Sequence, residues 1–394
     1  MRIREREVHM TSRERILGML KGESIDRLPW CADLAYWIDY LNDEHLMPEK
    51  YLKDQTLEQK EFLSQGLAAP FNGRGLLDLH RDLETGFYLQ GYFPFIPIYD
   101  GVEVITEQNG AIRTTTVKTP YGDMQEVWEY SRSSHSWGPR VHMVKDEDDL
   151  KKVKYLYEHT FYEADYKMAE ERREIMGDIG VTLVYMPKSP IMEMIALRAG
   201  IESVVYMIED APEEWEETIA VMDKKNTEAC EIALKSPAEC IMIPENLSSG
   251  SIGQKMYRKY AFDYAKKWTD RIREAGKYSF VHLDGTVNPL LTEVCEAGFD
   301  VIEGLTPYPV GDMNYSEMRG IANERAILWG GIPGGFFVPE FSDEAFDNYV
   351  IPLIKDMLKD KRSVLAVGDQ VVPGAKFERI KRVNELVEAY GYYK

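Results

Sequence analysis

The sequence predicts an α/β protein built on a closed (β/α)8 barrel of the TIM type. Three observations favour this class. Strand-like runs alternate with amphipathic helical stretches over the second half of the 394-residue chain, which is typical of a parallel sheet. Counted with two strands near the N-terminus, these units reach eight. Acidic residues collect where the strands end, as at the mouth of a barrel. A doubly wound open sheet is the alternative.

The N-terminal part predicts the first elements of this barrel. Thr11 and Ser12 are cap residues before an apolar helical face, and Gly22 is a usual helix end. The elements predicted before residue 100 are a helix at 11–22, a strand at 28–33, a helical stretch at about 34–60 and a second strand at 71–80.

Residues 101–131 have a different character. Asn109-Gly110 and Tyr121-Gly122 separate three runs that are rich in β-branched and aromatic residues, which predicts an antiparallel β-meander. Because about 30 residues cannot bury a core of their own, we expect an excursion from a single domain that spans residues 1–394.

The alternation of strands and helices begins after residue 150. The predicted strands are 180–185, 240–244, 278–283, 301–305, 326–329 and 363–367. The predicted helices are 190–199, 212–234, 254–275, 288–297, 316–322, 342–358 and 373–390.

Composition and charge exclude several classes of partner. The chain is 44% hydrophobic and 29% charged, with a formal net charge of -20, and such an acidic surface repels nucleic acid and anionic lipid. No segment approaches the roughly 20 apolar residues of a membrane span, and the first residues have no apolar run of a secretory signal. Four scattered cysteines without a Cys-x-x-Cys pair are typical of a reducing compartment. We therefore expect a cytoplasmic protein without nucleic-acid or membrane partners.

Polar and aromatic residues lie at the C-terminal ends of most of the predicted barrel strands. They are Asp33, Tyr185, Glu245, Asn246, His282, Asp284, Glu303, Trp329 and Asp369. Because the carboxyl ends of parallel strands meet at one face of a barrel, these side chains are expected to lie close together. Buried carboxylates without partners are costly, so the clustering favours a metal ion or a bound cationic group.

The strand at 278–283 holds the central pair of this group. His282 and Asp284 are two residues apart and therefore point to the same side of the strand. An imidazole and a carboxylate so placed form half of a metal site or an acid/base pair. A histidine that is merely oriented by its neighbour is the third interpretation.

Several segments resemble the uroporphyrinogen decarboxylase superfamily. They are Met10-Thr-Ser-Arg-Glu-Arg-Ile-Leu, Gly22-Glu-Ser-Ile-Asp-Arg-Leu-Pro, Pro212-Glu, Pro244-Glu-Asn-Leu-Ser-Ser, the run from Gly276 to Gly285, Ala297-Gly-Phe-Asp-Val-Ile-Glu and Gly330-Gly-Ile-Pro. The resemblance covers nearly the whole chain, and it implies the barrel fold.

Within this superfamily, the zinc-dependent corrinoid methyltransferases look closest. The true decarboxylases carry an arginine-rich segment after the opening helix, whereas residues 28–37 here contain no arginine. The methyltransferases hold zinc with a His-x-Cys pair and a second cysteine near the last strand. This chain has His282-x-Asp284 and Asp369 at those places, with Glu303 between them, so both thiolates are replaced by carboxylates.

The resemblance implies a zinc-dependent methyltransferase that demethylates a small methylated, most simply methoxylated, compound and passes the methyl group to a corrinoid protein. Carboxylate ligands leave zinc a stronger Lewis acid, which suits an oxygen leaving group. The alternatives are metal-free lyase or decarboxylase chemistry and a barrel whose site has decayed into a binding module. The sequence leaves open whether the protein forms a homodimer.

Each candidate residue then has an expected role. The metal ligands would be His282, Asp284, Glu303 and Asp369; the catalytic residues His282, Asp284 and Glu245; and the substrate contacts Trp30, Asp33, Tyr185, Asn246 and Trp329. An aromatic wall around the substrate would consist of Trp30, Tyr36, Trp37, Tyr185 and Trp329.

Overall fold

The computed structural model describes residues 9–52, 74–87 and 92–394. Its strands, in chain order, are β1 (Trp30–Cys31), β2 (Phe95–Tyr99), β3 (Glu103–Asn109), β4 (Ile112–Thr119), β5 (Gly122–Ser131), β6 (Ser136–Val141), β7 (Thr160–Ala164), β8 (Leu183–Tyr185), β9 (Cys240–Leu247), β10 (Tyr278–Leu283), β11 (Val301–Leu305), β12 (Ile327–Pro333) and β13 (Ser363–Gly368).

The helices fill the connections between these strands. The α-helices are α1 (Ser12–Lys21), α2 (Ala35–Asp43), α3 (Arg74–Asp82), α4 (Leu150–Glu158), α5 (Lys167–Ile175), α6 (Pro190–Glu193), α7 (Ile201–Asp210), α8 (Pro212–Lys235), α9 (Gly253–Tyr260), α10 (Phe262–Glu274), α11 (Leu290–Glu296), α12 (Tyr315–Ile321), α13 (Asp343–Met357) and α14 (Phe377–Tyr390). A π-helical turn, Met194–Arg198, continues α6, and 3-10 turns lie at Glu49–Tyr51, Glu147–Asp149 and Gly334–Phe337.

Seven parallel strands form a curled sheet in the order β1-β13-β12-β11-β10-β9-β8. Two short parallel bridges join its outer strands through a segment at Gly86 and Phe87. Gly86 bridges Cys31, and Phe87 bridges Gly180 just before β8. The Phe87 N–H donates to the Ile179 carbonyl at 2.8 Å. This segment takes the place of the second barrel strand, and the predicted TIM-type fold is confirmed.

The strand predicted at residues 71–80 is wrong where the structure describes it. Residues 71–73 lie outside the described ranges, and the rest belongs to α3. Leu76, Leu79 and His80 are buried because they recur at helical spacing. The strand that follows α3 is too short to show the alternation by which a strand is recognised.

The first helix forms as predicted from its cap residues. The Thr11 hydroxyl accepts the Glu14 N–H at 3.2 Å, and the Glu14 carboxylate accepts the Thr11 N–H at 2.7 Å. These reciprocal bonds satisfy two N–H groups that a helix start leaves open. Gly22 ends the helix with a φ of 73°, a left-handed conformation that glycine adopts without strain.

The barrel strands separate two apolar layers. Met242, Phe280 and Trp329 belong to an inner cluster, together with residues of α1. Their neighbours along the strands, such as Ile243 and Val281, pack outward against the helices. Because side chains alternate across a strand, the residue two positions beyond an inner residue also faces the barrel interior. This alternation fixes which residues face the mouth.

The predicted meander is confirmed as antiparallel strands in the N-terminal third. It contains β3, β4 and β5, and β6 extends it beyond the predicted limit at residue 131. Its last turn contacts α2, which follows β1. There the His135 imidazole lies 2.9 Å from the Asp43 carboxylate, which also accepts a hydrogen bond from the Tyr130 hydroxyl. A separate two-stranded antiparallel sheet pairs β2 with β7.

The sequence pattern did not predict three of the helices, α4, α5 and α7. The first two precede β8, and α7 lies between β8 and β9. The stretch predicted as one helix at 254–275 is two, α9 and α10, which meet at Ala261. Within the described ranges, no helix is both long and apolar enough to cross a membrane.

The closing bridge of the barrel gives a stability prediction. A Cβ atom on Gly180 would lie 1.6 Å from the Phe87 carbonyl oxygen, so Gly180→Ala must push the two strands apart. We expect the free energy of unfolding to fall by about 2–4 kcal/mol, measured by urea denaturation.

The control is Gly320→Ala, because Gly320 lies within α12 and has open space around its Cβ position. This variant should match or slightly exceed the wild type. If both variants are equally stable, the close contact between Gly180 and Phe87 that closes the barrel is contradicted.

Candidate metal centre

Three potential ligands converge at the carboxyl end of the barrel strands. His282 lies near the end of β10, Asp284 follows the same strand and Asp369 follows β13. The Nε2 atom of His282 is 3.6 Å from an Asp369 oxygen and 4.0 Å from an Asp284 oxygen. The ligand atoms of all three residues lie within 4.8 Å of one another. Sequence reasoning named these three residues, and the fold brings them together.

Glu303 lies behind the imidazole. It is the in-register partner of His282 across the β10–β11 pair, and its Oε1 atom is 2.5 Å from Nδ1. The Glu303 side chain is 1% exposed, whereas that of Asp284 is 40% exposed. The carboxylate accepts the Nδ1–H and so directs Nε2 towards the two aspartates, as carboxylates do behind metal-binding histidines. Glu303 therefore supports the ligand group from below.

Gly304 makes room for the imidazole ring. A Cβ atom at this position would lie 2.7 Å from His282 Cε1 and 2.9 Å from Nδ1. The residue also has a φ of +81°, in the left-handed region that favours glycine. No simple pattern in the sequence identifies this requirement, because it arises from the adjacent strand.

Asp33 contributes another buried carboxyl group. It is 3% exposed, and one of its oxygens accepts the Ala35 N–H at 2.9 Å. Its Oδ2 atom has no hydrogen-bond partner among the described residues. Burial raises the pKa of Asp33 to about 8, and the charges of Asp369 and Glu303 act in the same direction.

The carboxylates strongly favour a positive charge on the imidazole. Burial lowers the pKa of His282, but the Glu303 carboxylate, with Asp369 and Asp284, outweighs this effect and raises it to about 10. Burial also raises the pKa of Asp369 to about 6. A histidine with this pKa is protonated at neutral pH unless a cation takes the place of its proton.

The donor set fits a zinc ion. Zinc binds imidazole nitrogen and carboxylate oxygen at about 2.0–2.2 Å, so two such ligands stand about 3–4 Å apart, close to the two distances from Nε2. Within the described ranges, Asp284 and Asp369 form ion pairs with His282 alone. A divalent cation would compensate these carboxylates and replace the Nε2 proton.

Glu245 is not part of this group. Both of its oxygens are engaged by Ser189, one by the backbone N–H and one by the hydroxyl, each at 3.0 Å. The neighbouring Lys188 donates to the Pro244 carbonyl. Burial raises the pKa of Glu245 to about 7, although the Lys188 charge opposes this shift. The residue ties the end of β9 to the segment after β8.

The remaining predicted contacts lie in different layers. Tyr185 and Trp329 face the barrel interior, and Trp329 packs edge-on against Phe280 at 5.7 Å; both residues belong to the floor below the mouth. Trp30 lies in the outer layer between sheet and helices. Asn246 is exposed with a φ of 52°. The structure thus does not gather these four around the candidate metal ligands.

The loops after β1 and β13 are tied to each other beside the site. The Gln370 side chain accepts the Tyr36 N–H at 3.1 Å, and the Val371 N–H donates to the Asp33 carbonyl at 2.9 Å. Gln370 was not among the predicted site residues. Its position directly after Asp369, at a strand end, is the signal that identifies it.

Comparison with known proteins identifies a family that matches this chain. The profile described as Uroporphyrinogen decarboxylase (URO-D) matches residues 134–390. A solved structure described as a methyltransferase from Methanosarcina mazei has a TM-score of 0.61 and 14% sequence identity, over 97% of this chain and 99% of that chain. At this identity the similarity establishes the fold alone. Curated proteins gave no match.

The His282–Glu303 pair gives a prediction for the metal-free protein. We expect the imidazole to titrate near pH 10 and Glu303→Gln to lower its pKa, because the charge next to Nδ1 is removed. Nuclear magnetic resonance of the ring protons measures both values. Glu324→Gln, which removes an exposed carboxylate, should leave the pKa unchanged.

The raised pKa of His282 also determines how the stability of the metal-free protein changes with pH. The folded protein holds this proton more tightly than the unfolded chain, whose histidine has a pKa of 6.5. The stabilisation is therefore complete below about pH 6.5 and is lost as the pH rises through about 10. A metal-free protein whose His282 titrates near 6.5 would contradict the pairing.

Proposed function

Because the chain belongs to the uroporphyrinogen decarboxylase family, we propose that it is a methyltransferase of the corrinoid type with a zinc site at its barrel mouth. It would demethylate a small methylated, most simply methoxylated, compound and pass the methyl group to a corrinoid protein. The observation that carries this proposal is the convergence of His282, Asp284 and Asp369. The fold shared with a methyltransferase from Methanosarcina mazei supports it.

His282, Asp284 and Asp369 would hold the zinc ion. When bound there, zinc supplies a Lewis acid that stabilises negative charge on the leaving oxygen. The Glu303 carboxylate accepts a hydrogen bond from the His282 Nδ1–H. This bond keeps the proton on Nδ1 and would leave Nε2 to bind the ion. The exposed side of the cluster, at Asp284 and Asp369, is open to a small molecule, since these side chains are 40% and 37% exposed.

The closed floor of the barrel excludes water from below. Phe280 lies two residues before His282 and packs edge-on against Trp329 of β12; the two side chains are 0% and 1% exposed. A methyl donor therefore approaches from the mouth, and the acceptor must reach the methyl group from the same side. We include the meander turn that contacts α2 in the docking edge for the corrinoid protein.

The main alternative is a metal-free lyase or decarboxylase with His282 as an acid or base. A histidine whose pKa is near 10 is protonated at neutral pH, so it is a poor base and only a weak acid there. The carboxylates of Asp284, Glu303 and Asp369 near the mouth also repel a polycarboxylate substrate. Both observations favour the metal-dependent proposal.

Elemental analysis of the purified chain tests the metal site. We expect about one zinc per chain in the wild type and almost none in His282→Ala, because the variant loses the nitrogen ligand. Methyl transfer should fall at least about 100-fold, while the circular dichroism spectrum is unchanged. His159→Ala, at a half-buried histidine whose Nδ1 lies beside the Tyr155 carbonyl, is the matched control.

Zinc-free wild type that added zinc does not activate would refute the proposal. If His282→Ala instead keeps full turnover or unfolds, the histidine has a structural role. If the control loses zinc as well, the loss is not specific to the site.

A double substitution tests the role of the carboxylate ligands. Replacing Asp284 and Asp369 with cysteine should retain zinc, since thiolates are preferred zinc ligands. Demethylation of ethers should nevertheless decrease, because thiolates donate more charge and weaken the Lewis acid. Zinc content and turnover are measured side by side. Equal or faster turnover of the double variant would mean that the carboxylates serve another purpose.

A further inference from the structure

Tyr36 follows the first barrel strand, on the side where the candidate metal ligands lie. It is in the first turn of α2, three residues after Asp33, and is half-buried. Its backbone N–H is held by the Gln370 side chain, which places it beside the loop that carries Asp369. Its position in the chain therefore ties the residue to two strand ends of the site, those of β1 and β13.

The side chain of Tyr36 is separate from the apolar packing of its helix. Trp37, Ile38 and Leu41 are buried and anchor α2 in the outer layer. Trp37 also donates from Nε1 to the Ala375 carbonyl at 3.0 Å. Tyr36 belongs to neither apolar cluster, so α2 stays in place without it.

The acidic groups of the site act on the hydroxyl of Tyr36. Burial raises the pKa of Tyr36 to about 12, and the negative charges of Asp369, Asp33 and Asp284 act in the same direction. The group therefore stays protonated and is a hydrogen-bond donor at neutral pH. Within the described part of the chain, the hydroxyl makes no hydrogen bond. A half-buried donor beside acidic groups is available for an oxygen of a ligand.

We propose that Tyr36 is a further catalytic residue, whose hydroxyl donates a hydrogen bond to the oxygen that loses the methyl group. This inference rests on the proposed methyltransferase function. Tyr36 follows the end of β1, which is the strand next to β13, and its N–H is bonded to the residue after Asp369. From this place its hydroxyl gives the leaving oxygen a partner in addition to the zinc ion. Negative charge that develops on this oxygen strengthens the bond.

The step balances with the reduced corrinoid of the partner protein as the acceptor. The bond between the methyl carbon and oxygen breaks, and its electron pair stays on oxygen. The methyl group bonds to the corrinoid, which supplies the electron pair and is thereby oxidised by two electrons. Tyr36 keeps its proton and donates only a hydrogen bond, and the product takes up a proton from solvent on release.

The test uses the zinc-loaded full chain, free cob(I)alamin as acceptor and a series of substituted anisoles whose phenols differ in acidity. We expect Tyr36→Phe to lower kcat/KM about 10–100-fold for anisoles of weakly acidic phenols. The loss should be smaller for nitro-substituted anisoles, whose oxygen needs less stabilisation. The change should fall mainly on kcat, because the bond strengthens in the transition state.

Tyr40→Phe is the matched control, since it removes a hydroxyl one turn along the same helix, where the ring packs against His135. It should behave like the wild type, and all three proteins should contain equal zinc. If Tyr36→Phe is as active as the wild type, or loses activity uniformly across the series, the inference about Tyr36 is overturned alone. If the wild type binds zinc but transfers no methyl group from any ether, the proposed function is overturned with it.

Discussion

The hydrogen bond between His282 and Glu303 joins two neighbouring parallel strands at the barrel mouth. It forms because the two residues are register partners on β10 and β11 and both face the interior. The carboxylate sets the proton on Nδ1 and leaves Nε2 directed to Asp284 and Asp369. The ring in turn requires Gly304, because a side chain there would occupy its position. The whole ligand group therefore depends on one register between two strands.

The same arrangement lowers the stability of the metal-free protein. Besides burial, the charges of Asp369 and Glu303 raise the pKa of Asp33, and those of Asp284 and Glu303 raise the pKa of Asp369. Burial of several carboxyl groups beside one imidazole opposes folding. Such groups persist where function requires them. A bound cation offsets this cost, so the metal would contribute to stability as well as to chemistry.

In the barrel, the residues that stabilise the fold are separate from the residues that would carry out the chemistry. Phe280 and Trp329 fill the interior below the site, and Glu245 and Lys188 tie β8 to β9 behind it. The segments after β10 and β13 carry the exposed carboxylates Asp284 and Asp369, and the loops after β1 and β13 are joined through Gln370. Substitutions at the mouth can therefore change activity without loss of the fold, as is usual for barrels of this type.

The sequence by itself determined the local features of this protein. Periodicity located six of the barrel strands and the meander, and the two-residue spacing placed His282 and Asp284 on one side of a strand. The predicted strand ends suggested Asp369 and Glu303 as members of the same site, and the resemblance implied their role as metal ligands. These features are readable because each depends on residues close to one another in the chain.

Only the tertiary structure decided which strand-end residues converge. It placed Glu303 behind His282, Glu245 with Ser189 and Trp30 in the outer layer, although all three follow or lie within predicted strands. It also replaced the strand predicted at residues 71–80 by the short bridges at Gly86 and Phe87. The physical reason is that strand register and the direction of a side chain at a strand end are set by contacts between segments far apart in the chain, which no local pattern encodes.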